Sequence, residues 1–585
     1  MRIRRRVWVA VTLVLWAGSA AAQQAARPAA RIEFAVDASD PASGTVPVTM
    51  RIAGVPPDPL RLAIPAWRPG SYRFQNYASA YQSLEARRPD GAPLPTDRLD
   101  PRTFQIRTGG ADTIEVRYVL KPDAANFSAD HFHIDAVGTY PYVPDRMNVP
   151  IRVRFSMPSG WRVATGLAPA GDGYEARDYD TFADCPTELG RFELRAFEQD
   201  GARYEIMVHG SVRLDWDAFL QMHRRIVAEG CRLFGGAPFE RYLFLYHLNN
   251  RFGGYGLEHL NSADMQFHGP TLQSNVLSVA PLTAHEFFHL WNVKRIRPRV
   301  LGPFDYAREA RTRALWWAEG VTDYYAHLIL VRAGLTTEAQ FLAQMAAQVA
   351  LHQAEPDRLR VSVEEASWRV WDNYRGVDYY NKGLLLGLLI DLRMRRLTDN
   401  RKTLDDVMRF LDRWYVRERP GPIGVGFEEE DLARAVGAVC GHDFSDFFRR
   451  YVAGAEELPW ESELQAAGLT LRLTLDRLPY HGVLLRGGTV RRAAGPAAAA
   501  GLREGDRITA VDGQALDAEG LRAALRQAPA GRRLALSIER DGAAQTVELE
   551  VSIREQVAAC RIEPMPQATP AMRALRAAWL GGTAP

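Results

Sequence analysis

The sequence predicts a multidomain α+β protein. Three observations carry this: the length of the chain, a change of hydrophobic period near residue 206, and a glycine-punctuated module near the C-terminus. At 585 residues the chain is too long for one hydrophobic core. Residues 23–205 hold short alternating segments such as Arg31-Ile-Glu-Phe-Ala-Val and Thr113-Ile-Glu-Val-Arg-Tyr-Val-Leu, separated by Pro, Gly and Asp. That pattern predicts a β-sandwich-like domain. Across 206–465 the period becomes helical, first over Trp216–Phe234 and then from Leu282 to about Tyr451, with Tyr242-Leu-Phe-Leu-Tyr a short buried strand. Residues 469–553 place glycines at turns around a strand at Arg507–Val511, followed by a helical stretch and two more strands, the size of a small independent domain. The Ala-, Pro- and Arg-rich tail, 554–585, is expected to be marginally ordered.

The first 22 residues read as an export signal. Arg2, Arg4, Arg5 and Arg6 precede a short apolar run, and Ser19-Ala20-Ala21-Ala22 supplies small residues for cleavage before Gln23. The run is too short to span a membrane, and the later Leu384–Ile390 run is stopped by Asp391. The protein is therefore expected to be periplasmic or secreted, with no membrane span after cleavage. Without the four signal arginines the chain holds 68 basic and 70 acidic residues, a balance that gives no electrostatic reason to expect nucleic acid. Cys185, Cys231, Cys440 and Cys560 are too sparse for a disulfide scaffold and have the wrong spacing for a cysteine zinc site; export permits one or two disulfides.

The segment Leu282-Thr-Ala-His-Glu-Phe-Phe-His-Leu-Trp contains HExxH. Helix positions i and i+4 share a face, so His285 and His289 can present imidazoles to one Zn2+. Glu286, the next residue along, can lie beside the open coordination position and accept a proton from water. A catalytic zinc needs a third protein ligand. Glu319, in Trp316-Trp317-Ala318-Glu319-Gly320-Val321-Thr322-Asp323, has the buried context for that role, and Asp323 can orient a ligand histidine from the same face. Asp305 and Glu309 compete from a more polar stretch.

HEFFHLWNVKRIRP followed by LWWAEGVTDYY resembles the glycyl aminopeptidase family of zinc metallopeptidases, gluzincins related to aminopeptidase N. IPAWRPGSY (Ile64–Tyr72) is similar to that family's amino-terminal β domain, and FGGYGLEHLNS to its substrate-binding strand. The resemblance spans roughly residues 30–550 and implies a thermolysin-like catalytic domain with Glu319 as the third ligand. The 29 residues between His289 and Glu319 exceed the usual interval in the aminopeptidase N group, which leaves an insertion at the Arg297–Ala307 loop. In Tyr379-Tyr380-Asn381-Lys382-Gly383 the Tyr-x-Lys-Gly spacing resembles the oxyanion tyrosine of those enzymes, which assigns Tyr380, or Tyr379 if the register slips.

An exopeptidase must also recognise a free α-ammonium. Gly256-Leu257-Glu258-His259 follows a buried strand and a glycine-rich approach; Gly256 lets a substrate backbone come close, and Glu258 can pair with the ammonium. The stretch resembles the GxMEN element with Leu and His in place of Met and Asn. The family implies release of small amino-terminal residues, glycine and alanine above all, from peptides with a free N-terminus. GPAAAAGLREGDRITAVDG resembles the core of a PDZ domain, a module that adds a peptide strand to a sheet edge and holds its terminal carboxylate, here expected near Tyr480–Leu484. Two other readings stand beside the aminopeptidase. One is a zinc endopeptidase served by the PDZ domain; the other is a non-catalytic peptide-binding scaffold.

Overall fold

The computed structural model describes residues 30–54, 58–251, 253–419 and 423–581. The expected signal segment lies outside the described residues. The N-terminal domain is built from an eight-stranded sheet and two three-stranded sheets. Its alternating segments fold as their period requires. Ile32, Phe34 and Val36 of the strand Arg31–Asp37 point inward, as do Val48, Met50 and Ile52 of its antiparallel partner Val46–Ala53. Arg31–Asp37 also pairs in parallel with Ile151–Ser156, so it occupies the sheet centre.

The catalytic domain opens with a five-stranded sheet in the order 193–199, 202–209, 241–249, 262–268, 254–258. Gly254–Glu258 runs antiparallel to its only sheet neighbour and forms the edge beside the active-site cleft. The helix Trp216–Phe234 packs under this sheet. Asp215 caps its start by accepting from Ala218 N–H at 3.0 Å, and Gly235, at φ 77°, ends it. Helices then dominate from Ala280 onward, around one large apolar core containing Phe287, Phe288, Trp291, Trp316 and Trp317. The Leu384–Ile390 run lies in the buried helix Tyr379–Leu397. Its Asp391 accepts from Tyr324 Oη at 2.7 Å and from Leu404 N–H at 3.0 Å, and pairs with Arg395 at 3.1 Å. No helix among the described residues is long and apolar enough to cross a membrane.

The Arg297–Ala307 insertion closes on the N-terminal domain. Trp67 Nε1 donates to Asp305 O at 3.0 Å, and Phe304 N–H donates to Asp180 at 3.3 Å. Residues 483–550 form a sheet with the helix Ala518–Gln527 over a small core of its own. The tail departs from expectation. Ser552–Pro564 pairs along its whole length with Leu469–Tyr480, and Pro570–Gly581 is a helix docked on the catalytic core. Trp579 is fully buried there and donates from Nε1 to Tyr324 Oη at 2.8 Å. The Ala- and Arg-rich composition hid an apolar stripe, Leu575, Trp579 and Leu580, at helical spacing. All four cysteines are free thiols.

Candidate active site

His285 lies on the helix Ala280–Phe288, and His289 caps it. Their Nε2 atoms are 2.9 Å apart, and Glu319 Oε2 stands 3.2 Å from His289 Nε2 and 3.7 Å from His285 Nε2. The other ring nitrogens are held. His289 Nδ1 is 2.8 Å from the Asn292 carbonyl oxygen, and His285 Nδ1 is 2.7 Å from Asp323 Oδ1. A carbonyl oxygen only accepts, so His289 Nδ1 carries the proton and the neutral ring turns a bare lone pair toward the shared point. Asp323 fixes His285 the same way. Two imidazole lone pairs and a carboxylate oxygen facing one another repel unless a cation lies between them, so this donor set fits a divalent ion of the zinc class. Burial opposes the charge of Glu319, but His289 and His285 more than offset it and hold its pKa below the usual carboxylate range.

The carboxylate is delivered by an unusual turn. Trp316–Val321 is π-helical, and Gly320 within it crosses Gly383 of the helix Tyr379–Leu397. A Cβ on Gly320 would stand 2.7 Å from Gly383 C and from Tyr379 O, so only glycine permits the approach. That crossing carries Tyr380 to the site. Its ring lies 6.2 Å from the His285 ring and lines the cleft together with Glu286, Glu319 and Asp323, whereas Tyr379 does not line it. Burial first, then the Glu319 charge, raises the Tyr380 pKa well above the ordinary phenol value, which keeps it a proton donor.

Glu286 is 4% exposed, and its Oε2 has no hydrogen-bond partner among the described residues. Burial pushes its pKa up to about 7, against the pull of His285 and His289. Gly256 presses directly on it: a Cβ there would lie 2.6 Å from Glu286 Cγ and closer still to Cδ and Oε1. The glycine expected to admit substrate is thus also required by the Glu286 side chain. Glu258, 6% exposed, contributes an atom within 4.8 Å of ones from Glu286 and His289.

Sequence reasoning missed the part played by the N-terminal domain. Gly70, at φ 81°, packs on Glu258 so tightly that a Cβ would stand 2.9 Å from Oε2. Arg68 donates to Tyr255 Oη at 3.0 Å and pairs with Asp135 at 3.2 Å. The Arg68-Pro69-Gly70 turn in IPAWRPGSY was the available signal. His259, the departure from GxMEN, faces away toward Asp184 (Nδ1–Oδ1, 3.2 Å), which also takes Lys294 at 2.7 Å. Asp305 and Glu309, the rival acids, lie outside the ligand cluster.

Geometry and chemistry define a metallopeptidase site with a buried carboxylate, Glu258, at one end. Known proteins agree. Residues 278–386 match the M61 glycyl aminopeptidase model, 33–191 the M61 N-terminal domain, and 468–551 a PDZ domain. The solved structure of an aminopeptidase N family protein from Idiomarina loihiensis superposes with a TM-score of 0.79 at 22% identity, covering 94% of this chain and all of its own. An M1 zinc metallopeptidase from Deinococcus radiodurans is more distant, at a TM-score of 0.47 and 14% identity over 74% of this chain and 94% of its own. No curated protein matches by sequence. The chain is a zinc metallopeptidase of the aminopeptidase class. Its N-terminal and peptidase regions match the M61 glycyl aminopeptidase models, and a PDZ domain follows them.

Proposed function

We propose that this protein is an exported aminopeptidase that holds one Zn2+ between His285, His289 and Glu319 and releases small amino-terminal residues, glycine and alanine, from peptides. The observation that carries the reading is the convergence of three ligand atoms with Glu286 and Glu258 in one buried cluster. Zinc bound there supplies Lewis-acid polarisation of a water and of the scissile carbonyl. Glu286, with a pKa raised by burial to about 7, takes the proton of the attacking water and returns it to the leaving amine. Tyr380, kept protonated, donates a hydrogen bond to the oxyanion as charge develops. Glu258 pairs with the α-ammonium and so sets the distance from the chain end to the cut bond.

The preference for small residues draws on the family's description as glycyl aminopeptidases. One observation favours a second reading, larger apolar residues. Beyond Gly70 and Glu258 opens a cavity of about 530 Å³ lined by Tyr72, Val293, Leu301 and Phe304. Hydrolysis of glycyl-, alanyl- and leucyl-anilides, each with free and blocked amines, tests all of this. We expect glycyl and alanyl substrates to lead and blocked ones to be inert. Equal rates on blocked substrates would replace the aminopeptidase by the endopeptidase reading, with peptides delivered by a PDZ domain that takes their C-termini. Export predicts that the mature chain begins at Gln23, which amino-terminal sequencing of the extracytoplasmic protein checks.

A further inference from the structure

A second concentration of imidazole and carboxylate lies behind the substrate strand, where the N-terminal and catalytic domains pack sheet on sheet. From the N-terminal domain come His133, on His131–Ile134, and Glu188, its direct partner across the ladder on Thr187–Gly190. From the catalytic domain come His247, on Arg241–Asn249, and Asp264, on Ser262–His268. Both carboxylates are buried: Glu188 is 0% and Asp264 7% exposed. Buried carboxylates are costly without positive charge beside them. Arg68, which feels the Asp264 charge, gives its hydrogen bonds to Asp135 and Tyr255.

The two imidazoles close on Asp264 but leave several buried polar atoms unsatisfied. His247 Nε2 is 3.1 Å from Asp264 Oδ1, and His133 Nε2 is 3.2 Å from Asp264 Oδ2. Yet His247 Nε2, Asp264 Oδ1, His133 Nδ1 and Glu188 Oε2 are all buried with no hydrogen-bond partner among the described residues. Ligand atoms around a tetrahedral ion with bonds of about 2.0–2.1 Å are separated by about 3.3 Å. In the catalytic set both histidines face one oxygen, Glu319 Oε2, at 3.2 and 3.7 Å; here each faces its own Asp264 oxygen, with one ligand atom from each of the three residues within 4.8 Å of the others. The orientation repeats. Both Nε2 atoms face Asp264, while both Nδ1 atoms face Glu188 Oε2, at 3.4 Å from His133 and 3.9 Å from His247. A carboxylate behind the far nitrogen is how a metal-bound histidine is held, and Asp323 does this for His285.

We propose that His133, His247 and Asp264 bind a second divalent cation of the zinc class, with Glu188 the carboxylate that faces both Nδ1 atoms. Its role is structural. One ligand belongs to the N-terminal domain and two to the catalytic domain, so the ion ties the domains together. Asp264 pairs in the sheet with Leu257, next to Glu258, so the same ion steadies the strand that receives the substrate amine.

The test is Zn2+ stoichiometry on full-length protein, stripped with a chelator, titrated with Zn2+ and measured by elemental analysis. The wild type should bind two equivalents. H285A/H289A should retain one, and H133Q/H247Q should lose one while keeping the other. The proposal is overturned if H285A/H289A binds no zinc, or if H133Q/H247Q binds as much as the wild type. Should H133Q/H247Q fail to fold, the equivalent retained or lost by H285A/H289A decides alone. A wild type with a single equivalent, lost in H285A/H289A and kept in H133Q/H247Q, would remove the second site and leave the catalytic reading standing.

Discussion

Replacing Gly256 by alanine sets a methyl group against the carboxylate that lies beside the metal ligands. The backbone there needs no glycine for its own conformation; the obstacle is Glu286. A Cβ at position 256 would stand 2.6 Å from Glu286 Cγ and nearer to its carboxylate, where ordinary contact begins at 3.4 Å. Relieving that overlap displaces the Glu286 carboxylate by about 1 Å, since Phe287 and Phe288 on the same helix are fully buried and do not yield. A displacement of about 1 Å at a reacting group costs about 10²-fold, or about 2.7 kcal/mol of transition-state stabilisation. The three atoms nearest that Cβ all belong to Glu286 and none to a ligand side chain, so zinc content should stay at the wild-type level. Steady-state kinetics on alanyl-anilide, with elemental analysis of the same sample, reads both quantities. The expected result is a kcat lowered by about 10²-fold at unchanged KM and unchanged zinc. A Gly256→Ala enzyme within threefold of wild type would show that Glu286 does not work from the position seen here.

Four further outcomes follow from the same geometry. Glu286→Gln keeps the shape but cannot take a proton, and should lower kcat by about 10²–10⁴-fold with zinc retained. Tyr380→Phe should lower kcat by about 10²–10³-fold, while Tyr379→Phe stays close to wild type; the reverse order would move the oxyanion donor by one residue. Gly70→Ala, which crowds Glu258 Oε2 at 2.9 Å, should raise KM for free-amine substrates, and an unchanged KM would separate Glu258 from amine binding. In metal-free protein, burial works against the charge on His133, yet Asp264 and Glu188 push its pKa up to about 10. Burial likewise opposes Glu188, but His131 and His133 hold it at about 2. The raised histidine stabilises fully below its ordinary value near 6.5 and loses this as pH rises through about 10; the depressed carboxylate stabilises above about 4.5 and loses this as pH falls toward about 2. The cluster's contribution to the Tm of the stripped protein, read as the difference between wild type and H133Q, should therefore be largest near pH 5–6 and shrink between pH 7 and 10, and a constant difference over that alkaline range would contradict this charge pairing.

The parts of the site written in local spacing were legible, and the parts made by long-range approach were not. His285, Glu286 and His289 follow from one helical repeat, and Asp323 from a second helix whose tryptophans announce its burial. Nothing local declares that Trp316–Val321 is a π-turn, or that Gly320 and Gly383 touch, although both set where Glu319 and Tyr380 meet. Gly70 reaches Glu258 from another domain, and a glycine in a turn motif reads the same whether it bends a loop or roofs a pocket. The second histidine cluster is the extreme case. His133, His247 and Asp264 sit on three strands of two sheets, each in an ordinary strand segment, and only the docking of the domains brings them together. The tail was hidden for a different reason: its alanines and arginines mask a short apolar stripe, and one fully buried tryptophan outweighs a run of alanines.

Charge balance links the metal to the choice of substrate. Glu258, Glu286 and Glu319 are all nearly excluded from water and crowd the catalytic imidazoles, with Glu319 3.2 Å and Glu258 within 4.8 Å of His289. A divalent ion offsets two of these three negative charges. The third lies at the end of the cleft closed by Gly70, where neither Glu258 oxygen has a basic side chain paired with it among the described residues. A peptide with a free α-ammonium supplies the missing positive charge as it binds; a blocked peptide leaves a buried carboxylate uncompensated. On the proposed role of Glu258, the free enzyme is expected to discriminate against blocked termini by the cost of that unpaired charge, in addition to the contact with the ammonium. Glu258→Gln removes the charge while preserving the shape. It should cut kcat/KM for free-amine substrates by about 10²-fold or more and narrow the gap to blocked ones from both sides. A variant that lost activity on free-amine peptides yet still rejected blocked ones as strongly as wild type would show that shape, and not charge, makes this an exopeptidase site.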